Sequence, residues 1–187
     1  MLLIKFFALI FFNIFNLHQD DCDCKSDIIY GYKFEVKTQI YQEFLLELII
    51  KVENPYNNKS IMQKIKTDDD ASIAKCWLTD LDDDLKPEII IWCISSGSGV
   101  YGTLYVYEFD PDRMKLSKID LYVLQERDYR QGYQGHDNFC LEGRYVLHSF
   151  PIYKEDDSNC CPTGGLLIII YALRNNKFEV VKEIKLP

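Results

Sequence analysis

Histidine, basic side chains and metal-type cysteine spacing are all scarce in this chain, and each shortage removes a class of function. There are three histidines in 187 residues. The close cysteine pairs, Cys22 with Cys24 and Cys160 with Cys161, lack the two-residue spacing of a zinc knuckle, and no histidine is placed to complete one. Lysine and arginine number 21 against 29 aspartates and glutamates, a net charge of −8. Such a surface repels nucleic-acid phosphate and anionic lipid; a basic partner would instead be drawn to it, chiefly through a faster association rate. Neither an internal repeat nor a low-complexity linker appears, so one domain is the simplest division. No apolar run is long enough to read as a membrane span.

The first eighteen residues carry a single charged side chain, Lys5, and a mostly apolar run from Phe6 to Leu17. That length suits the hydrophobic part of a secretory signal. We therefore expect residues 1–19 to be an export signal and residues 20–187 a mature domain, periplasmic or secreted, with no membrane insertion once the signal is removed. With Lys5 gone, 20 basic residues face 29 acidic ones, a net charge of −9.

Cysteine is not scarce. The seven are Cys22, Cys24, Cys76, Cys93, Cys140, Cys160 and Cys161. An exported chain permits disulfides, and an odd count leaves at least one thiol free or intermolecular. A hairpin symmetric about Asp84 and Leu85 would set Cys76 opposite Cys93, the one pairing that can be argued.

The hydrophobic periodicity is that of strands. Phe34, Val36, Thr38 and Ile40 alternate with polar residues, and Leu46, Leu48, Ile50 and Val52 repeat the pattern. Asn54-Pro55-Tyr56-Asn57-Asn58 then stops it with turn chemistry. Residues 61–67, 75–79, 104–109, 144–150 and 178–184 read as further strands. Residues 88–94 and 166–173 are nearly continuous apolar runs, expected of central strands covered on both faces. Only residues 116–127 are ambiguous enough to be helical. Many short strands separated by Gly, Pro, Asn and Asp turns predict an all-β, antiparallel sandwich or barrel-like single domain with few helices.

Two loops carry the polar chemistry. Between the strands at 88–94 and 104–109 lies Ser96-Gly97-Ser98-Gly99-Val100-Tyr101-Gly102-Thr103. Its glycines free the backbone to turn tightly, and Ser98 and Tyr101 then present an alcohol and a phenol with little bulk between them. A rigid loop with two O–H donors suits a cleft lined by carboxylates. The other loop holds Asp80, Asp82, Asp84 and Glu88, whose 1-3-5-9 spacing can converge oxygens on a hard cation such as calcium. Such loops normally take glycine at the fourth or sixth position, where this chain has Asp83 and Leu85. Without metal, the loop would be a solvated hairpin turn. His136 beside Asp137 suggests a general base, but no candidate nucleophile motif accompanies it, and a hydrogen-bonded structural histidine is expected. Trp77 and Trp92 read as core or cross-strand residues, and Pro162-Thr163-Gly164-Gly165 as a turn.

Three further segments complete an ordered set: Gly132-Tyr133-Gln134-Gly135-His136-Asp137-Asn138-Phe139, then Leu147-His148-Ser149-Phe150-Pro151-Ile152-Tyr153, then Asn159-Cys160-Cys161-Pro162-Thr163-Gly164-Gly165. With the acidic loop, the Ser-Gly-x-Tyr loop and the apolar strand after Gly165, this order resembles the bacterial periplasmic inhibitors of invertebrate-type (i-type) lysozyme. The resemblance runs from about Phe34 to Leu173. It implies a non-enzymatic, all-β inhibitor that presses its Ser-Gly-x-Tyr loop into the lysozyme cleft. Ser98 and Tyr101 would be the inserting side chains here, and Gly99 would allow close backbone approach. The rival reading is a calcium-dependent cell-surface binding module built on the acidic loop; a secreted hydrolase using His136 is a third. No other cofactor is expected, and a homodimer is compatible with the sequence.

Overall fold

The computed structural model describes residues 27–42, 45–67, 71–119, 121 and 131–187. They form twelve strands in three antiparallel sheets, with no helix among the described residues and no closed barrel. The first sheet contains β1 (Asp27–Ile29), β2 (Tyr32–Gln42), β3 (Leu45–Asn54) and β4 (Lys59–Lys66). The second contains β5 (Ala71–Thr79), β6 (Glu88–Ser95), β7 (Gly102–Asp110) and β8 (Lys115–Ile119). The third contains β9 (Asn138–Glu142), β10 (Tyr145–Pro151), β11 (Leu166–Arg174) and β12 (Lys177–Leu186). Each sheet is a meander in which sequence neighbours pair, most of them through short turns, with a longer loop between β10 and β11.

Alternation of side chains decides how the sheets stack. On the middle sheet, Ile89, Ile91, Cys93, Tyr107 and Phe109 point one way and pack with Phe34, Leu48, Ile50 and Val52 of the first sheet. Ile90, Val106 and Ile119 point the other way and pack with Val146, Phe150, Ile169 and Tyr171 of the third. The middle sheet therefore has two dry faces. This is why β6 is apolar at nearly every position, and why a period of two is hidden there. The first sheet needs only one apolar face. Its other face carries ion pairs between Lys37 and Glu35, Lys51 and Glu53, and Lys64 and Glu47.

The expected strands are present, and β11 is central to its sheet as its apolar run requires. Three short strands carried no clear alternation: β1, β8 and β9, of three, five and five residues. The ambiguous segment at 116–127 begins as strand β8; its residues 120 and 122–130 lie outside the described residues, as does the expected export signal. Both tryptophans pack against the second core, Trp92 edge-on to Phe139 at 5.8 Å.

The expected pairing of Cys76 with Cys93 is corrected. The hairpin is centred between Asp83 and Asp84 and not between Asp84 and Leu85, so Thr79 pairs with Glu88 and Cys76 with Ile91; beyond Lys75 a bulge then sets Cys93 opposite Ile73. Cys93 is a free, buried thiol; Cys140 is also free, Cys76 is disulfide-bonded, and Cys160 is joined to Cys161. A hairpin centre displaced by one residue moves every cross-strand partner by two, and the bulge adds one more beyond Lys75.

Candidate functional site

The β6–β7 connection is a closed finger. Ser95 N–H donates to the Tyr101 carbonyl at 2.9 Å, and Tyr101 N–H donates to Ser95 Oγ at 3.0 Å, which fastens the neck. Val100 N–H donates to the Gly97 carbonyl at 3.1 Å and closes the turn at the tip. Ser98 is exposed and Tyr101 is 48% exposed. Among the described residues, neither hydroxyl is engaged in a hydrogen bond.

The backbone of the finger, by contrast, is held from outside. His136 N–H donates to the Gly99 carbonyl at 2.5 Å and Asp137 N–H to the Val100 carbonyl at 3.4 Å. Asn159 Nδ2 donates to the Ser98 carbonyl at 3.1 Å. Gly135 has φ +85°, and a Cβ there would strike the Gly99 carbonyl oxygen. Only glycine permits this approach. Gly99 is crowded too: a Cβ would lie 3.1 Å from the Gln134 carbonyl and against the Tyr101 ring. The Tyr101 ring leans edge-on against Tyr133, centroids 5.9 Å apart, and Tyr133 against Phe150 at 4.8 Å.

Beneath the finger lies a buried polar knot. Asp137 Oδ1 meets His148 Nε2 at 2.6 Å; Oδ2 accepts from Tyr133 O–H at 2.6 Å and from Gly102 N–H at 2.7 Å. His148 is fully buried and Asp137 is 5% exposed. The imidazole stacks on Phe139, centroids 4.2 Å apart and planes 9° from parallel. An ionised carboxylate has acceptor capacity for all three donors. Burial, with Asp137 alongside, pushes the Tyr133 phenol well above its usual range, so it remains a donor. Asp137 therefore anchors the start of β7, where the finger ends.

The third loop, between β10 and β11, completes the backing. Tyr153 N–H donates to the Gly132 carbonyl at 2.7 Å, and Tyr153 O–H to the Asn159 carbonyl at 2.8 Å. Asp157 accepts from Thr163 N–H and Oγ–H and from Lys154 N–H, which ties the two sides of this loop together; the segment expected to turn, 162–165, bends at Gly164. His136 stacks on Tyr153 and has Nε2 3.3 Å from Asn159 Oδ1. The sequence neighbours His136 and Asp137 thus face different partners. His136 contacts the third loop, and the Asp137 carboxylate is committed to the knot.

The acidic loop lies at the other end of β6. Its backbone takes positive φ at Asp83 (+58°) and Leu85 (+66°), the two positions where glycine is usual. Asp80 supports these turns by accepting N–H bonds from Asp84 at 3.2 Å and Leu85 at 3.0 Å, and Leu85 turns its side chain to solvent. Carboxylate oxygens of Asp80, Asp82 and Asp84 lie within 4.8 Å of one another, and so do those of Asp84, Glu88 and Glu108. Glu88 is fully buried, accepts Leu81 N–H at 2.7 Å, and is pushed by burial up to about 8. Burial also raises Glu108 and Asp82.

The structure thus brings together Ser98, Gly99 and Tyr101 in one place and Asp80, Asp82, Asp84 and Glu88 in another. Seven residues of β6 separate the two, roughly 23 Å at strand rise. Sequence reasoning missed Glu108, whose only signal was a charge inside an apolar strand. It also missed Asp137 as a support for the finger; its partner is 11 residues away. No protein-family profile, curated protein or solved structure matches this chain.

Proposed function

We propose that this protein is an exported inhibitor of lysozyme, of the i-type first of all, which blocks the enzyme by inserting the Ser98–Tyr101 finger into its cleft. One observation carries this reading. The finger's backbone is bound by two other loops, while its two hydroxyls sit on exposed side chains with no hydrogen-bond partner among the described residues.

That division of labour is what an inserted inhibitor needs. Ordering a loose loop on binding costs free energy, and a loop already held in shape avoids that cost. Glycoside hydrolases of this kind place two carboxyl groups about the scissile bond. Ser98 and Tyr101 would donate to them, each bond to a charged acceptor contributing roughly 1.5–3 kcal/mol. The sugar is then excluded, and no chemistry occurs on the inhibitor. The acidic surface, at a net charge of −8 for the whole chain, favours encounter with a basic enzyme.

The test is an inhibition assay against i-, c- and g-type lysozymes in parallel. Inhibition of the i-type enzyme is expected, with Tyr101→Ala removing most of it and leaving the melting temperature unchanged. Full inhibition by the double variant Ser98→Ala/Tyr101→Ala rules the mechanism out.

A further inference from the structure

Glu88 and Glu108 are directly opposed on adjacent strands. Like charges in that position are destabilising in a sheet, and these two are also 0% and 5% exposed. Each leaves a carboxylate oxygen buried with no hydrogen-bond partner among the described residues: Oε1 of Glu88 and Oε2 of Glu108. Oδ1 of Asp82 is in the same condition. Lys86 bonds directly to Asp84 at 3.0 Å and reaches Glu108 only through space, so it supplies no donor to these oxygens. Arg144 pairs with Asp83, whose side chain is 60% exposed and is not among the clustered carboxylates. A buried carboxylate oxygen without a donor costs free energy, and neither neighbouring cation bonds to any of the three.

We propose that Asp80, Asp82, Asp84, Glu88 and Glu108 form a calcium site that joins the β5–β6 loop to strand β7. Asp84 is the shared member: its carboxylate lies within 4.8 Å of both the loop acids and the two strand glutamates. The unpartnered oxygens of Glu88, Glu108 and Asp82 then become ligands, so their burial without donors is accounted for by the ion. Five carboxylates on one loop and two strands match the many-oxygen, irregular coordination of calcium. Magnesium demands near-octahedral geometry and retains most of its water, which suits this crowded, partly buried set poorly. The acidic spacing alone identifies four of the residues; the fifth, Glu108, comes from the cross-strand register.

The site stands apart from the finger, at the far end of the same two strands. Its role is to brace the sheet, and it does not depend on the lysozyme reading. Calcium is expected to raise the melting temperature of the full chain without being needed for contact at the finger.

The experiment is calorimetric titration and thermal unfolding of the EDTA-treated full chain with calcium chloride, with magnesium chloride in a parallel arm. Expected are one calcium per chain with a dissociation constant at or below about a millimolar, a raised melting temperature, and a weaker magnesium response. Glu108→Gln should weaken calcium binding by about tenfold or more, as befits loss of one charged ligand. Asp82→Asn, on the loop surface of the site, is the second variant should Glu108→Gln not fold, and should weaken binding comparably. No heat and no change in melting temperature with calcium overturns the site; so does magnesium binding as tightly as calcium. Undiminished calcium affinity in a folded Glu108→Gln protein removes Glu108 from it. Lysozyme inhibition measured alongside separates the two proposals, because loss of either leaves the other intact.

Discussion

The Asp137 carboxylate and the His148 imidazole meet at 2.6 Å in the interior, and the same carboxylate holds Tyr133 O–H and the Gly102 amide. Removing it leaves one buried donor and two half-buried ones without this acceptor. Asp137→Ala is therefore expected to lower the unfolding free energy by about 3 kcal/mol or more, measured by urea denaturation. Any lysozyme inhibition should weaken with it, since Gly102 closes the finger and Tyr133 backs Tyr101. Asp137→Asn preserves one acceptor and should cost less. A change under about 0.5 kcal/mol for the alanine variant, the size of an ordinary surface substitution, would deny the knot its supporting role.

Two glycines of the site make a matched pair. A Cβ at Gly135 meets the Gly99 carbonyl, and its φ is +85°; a Cβ at Gly97 meets nothing within 4 Å. Gly135→Ala is expected to push the finger off its backing and weaken inhibition several-fold more than Gly97→Ala does. The inhibition constants of the two variants, compared at equal folded fraction by circular dichroism, decide this. Equal constants would mean that the finger does not depend on the 131–137 segment.

Stability of the calcium-free protein should fall as pH rises from about 5 to 8. The reason is Glu88, held near 8 by burial against an ordinary value of 4.5. Within that window the unfolded chain has released this proton while the native state keeps it, so unfolding is favoured by raising the pH. The contribution is complete below pH 4.5 and lost as pH passes 8. Glu108 and Asp82, raised by the same burial, act in the same direction. Urea denaturation in EDTA across the window checks the sign, and Glu88→Gln should flatten the slope. A stability that rises steadily to pH 8 would contradict it.

Cys93 should be inert in the native protein. Its thiol is 1% exposed and pushed by burial up to about 12, so at pH 8 almost no thiolate forms and no reagent reaches it. Iodoacetamide followed by peptide mass spectrometry should find Cys93 unmodified in the folded protein and modified in denaturant. Rapid native labelling would place it elsewhere than in the first core.

Much of the fold was legible because its rule is local. Phe34, Val36, Leu48, Ile50 and Val52 recur at every second position of their strands, and they do line a core on one face of the first sheet. The runs at β6 and β11 signalled central strands, since only a strand covered on both faces can be apolar throughout. The finger was legible too: glycines in a short connection say that the chain turns, and the residues between them say what it displays. Strands as short as β1, β8 and β9 hold too few alternations to register.

What the sequence determined by itself was the strand content, the turns and the side chains offered at Ser98 and Tyr101, because each depends on residues a few positions apart. The tertiary structure alone decided that Asp137 would turn from His136 to His148, that Glu108 would face Glu88, and that Cys76 would miss Cys93. Those outcomes follow from register and sheet stacking. The centre of one turn, or the packing of one sheet on another, moves partners by whole residues, and nothing in the neighbouring sequence records the shift.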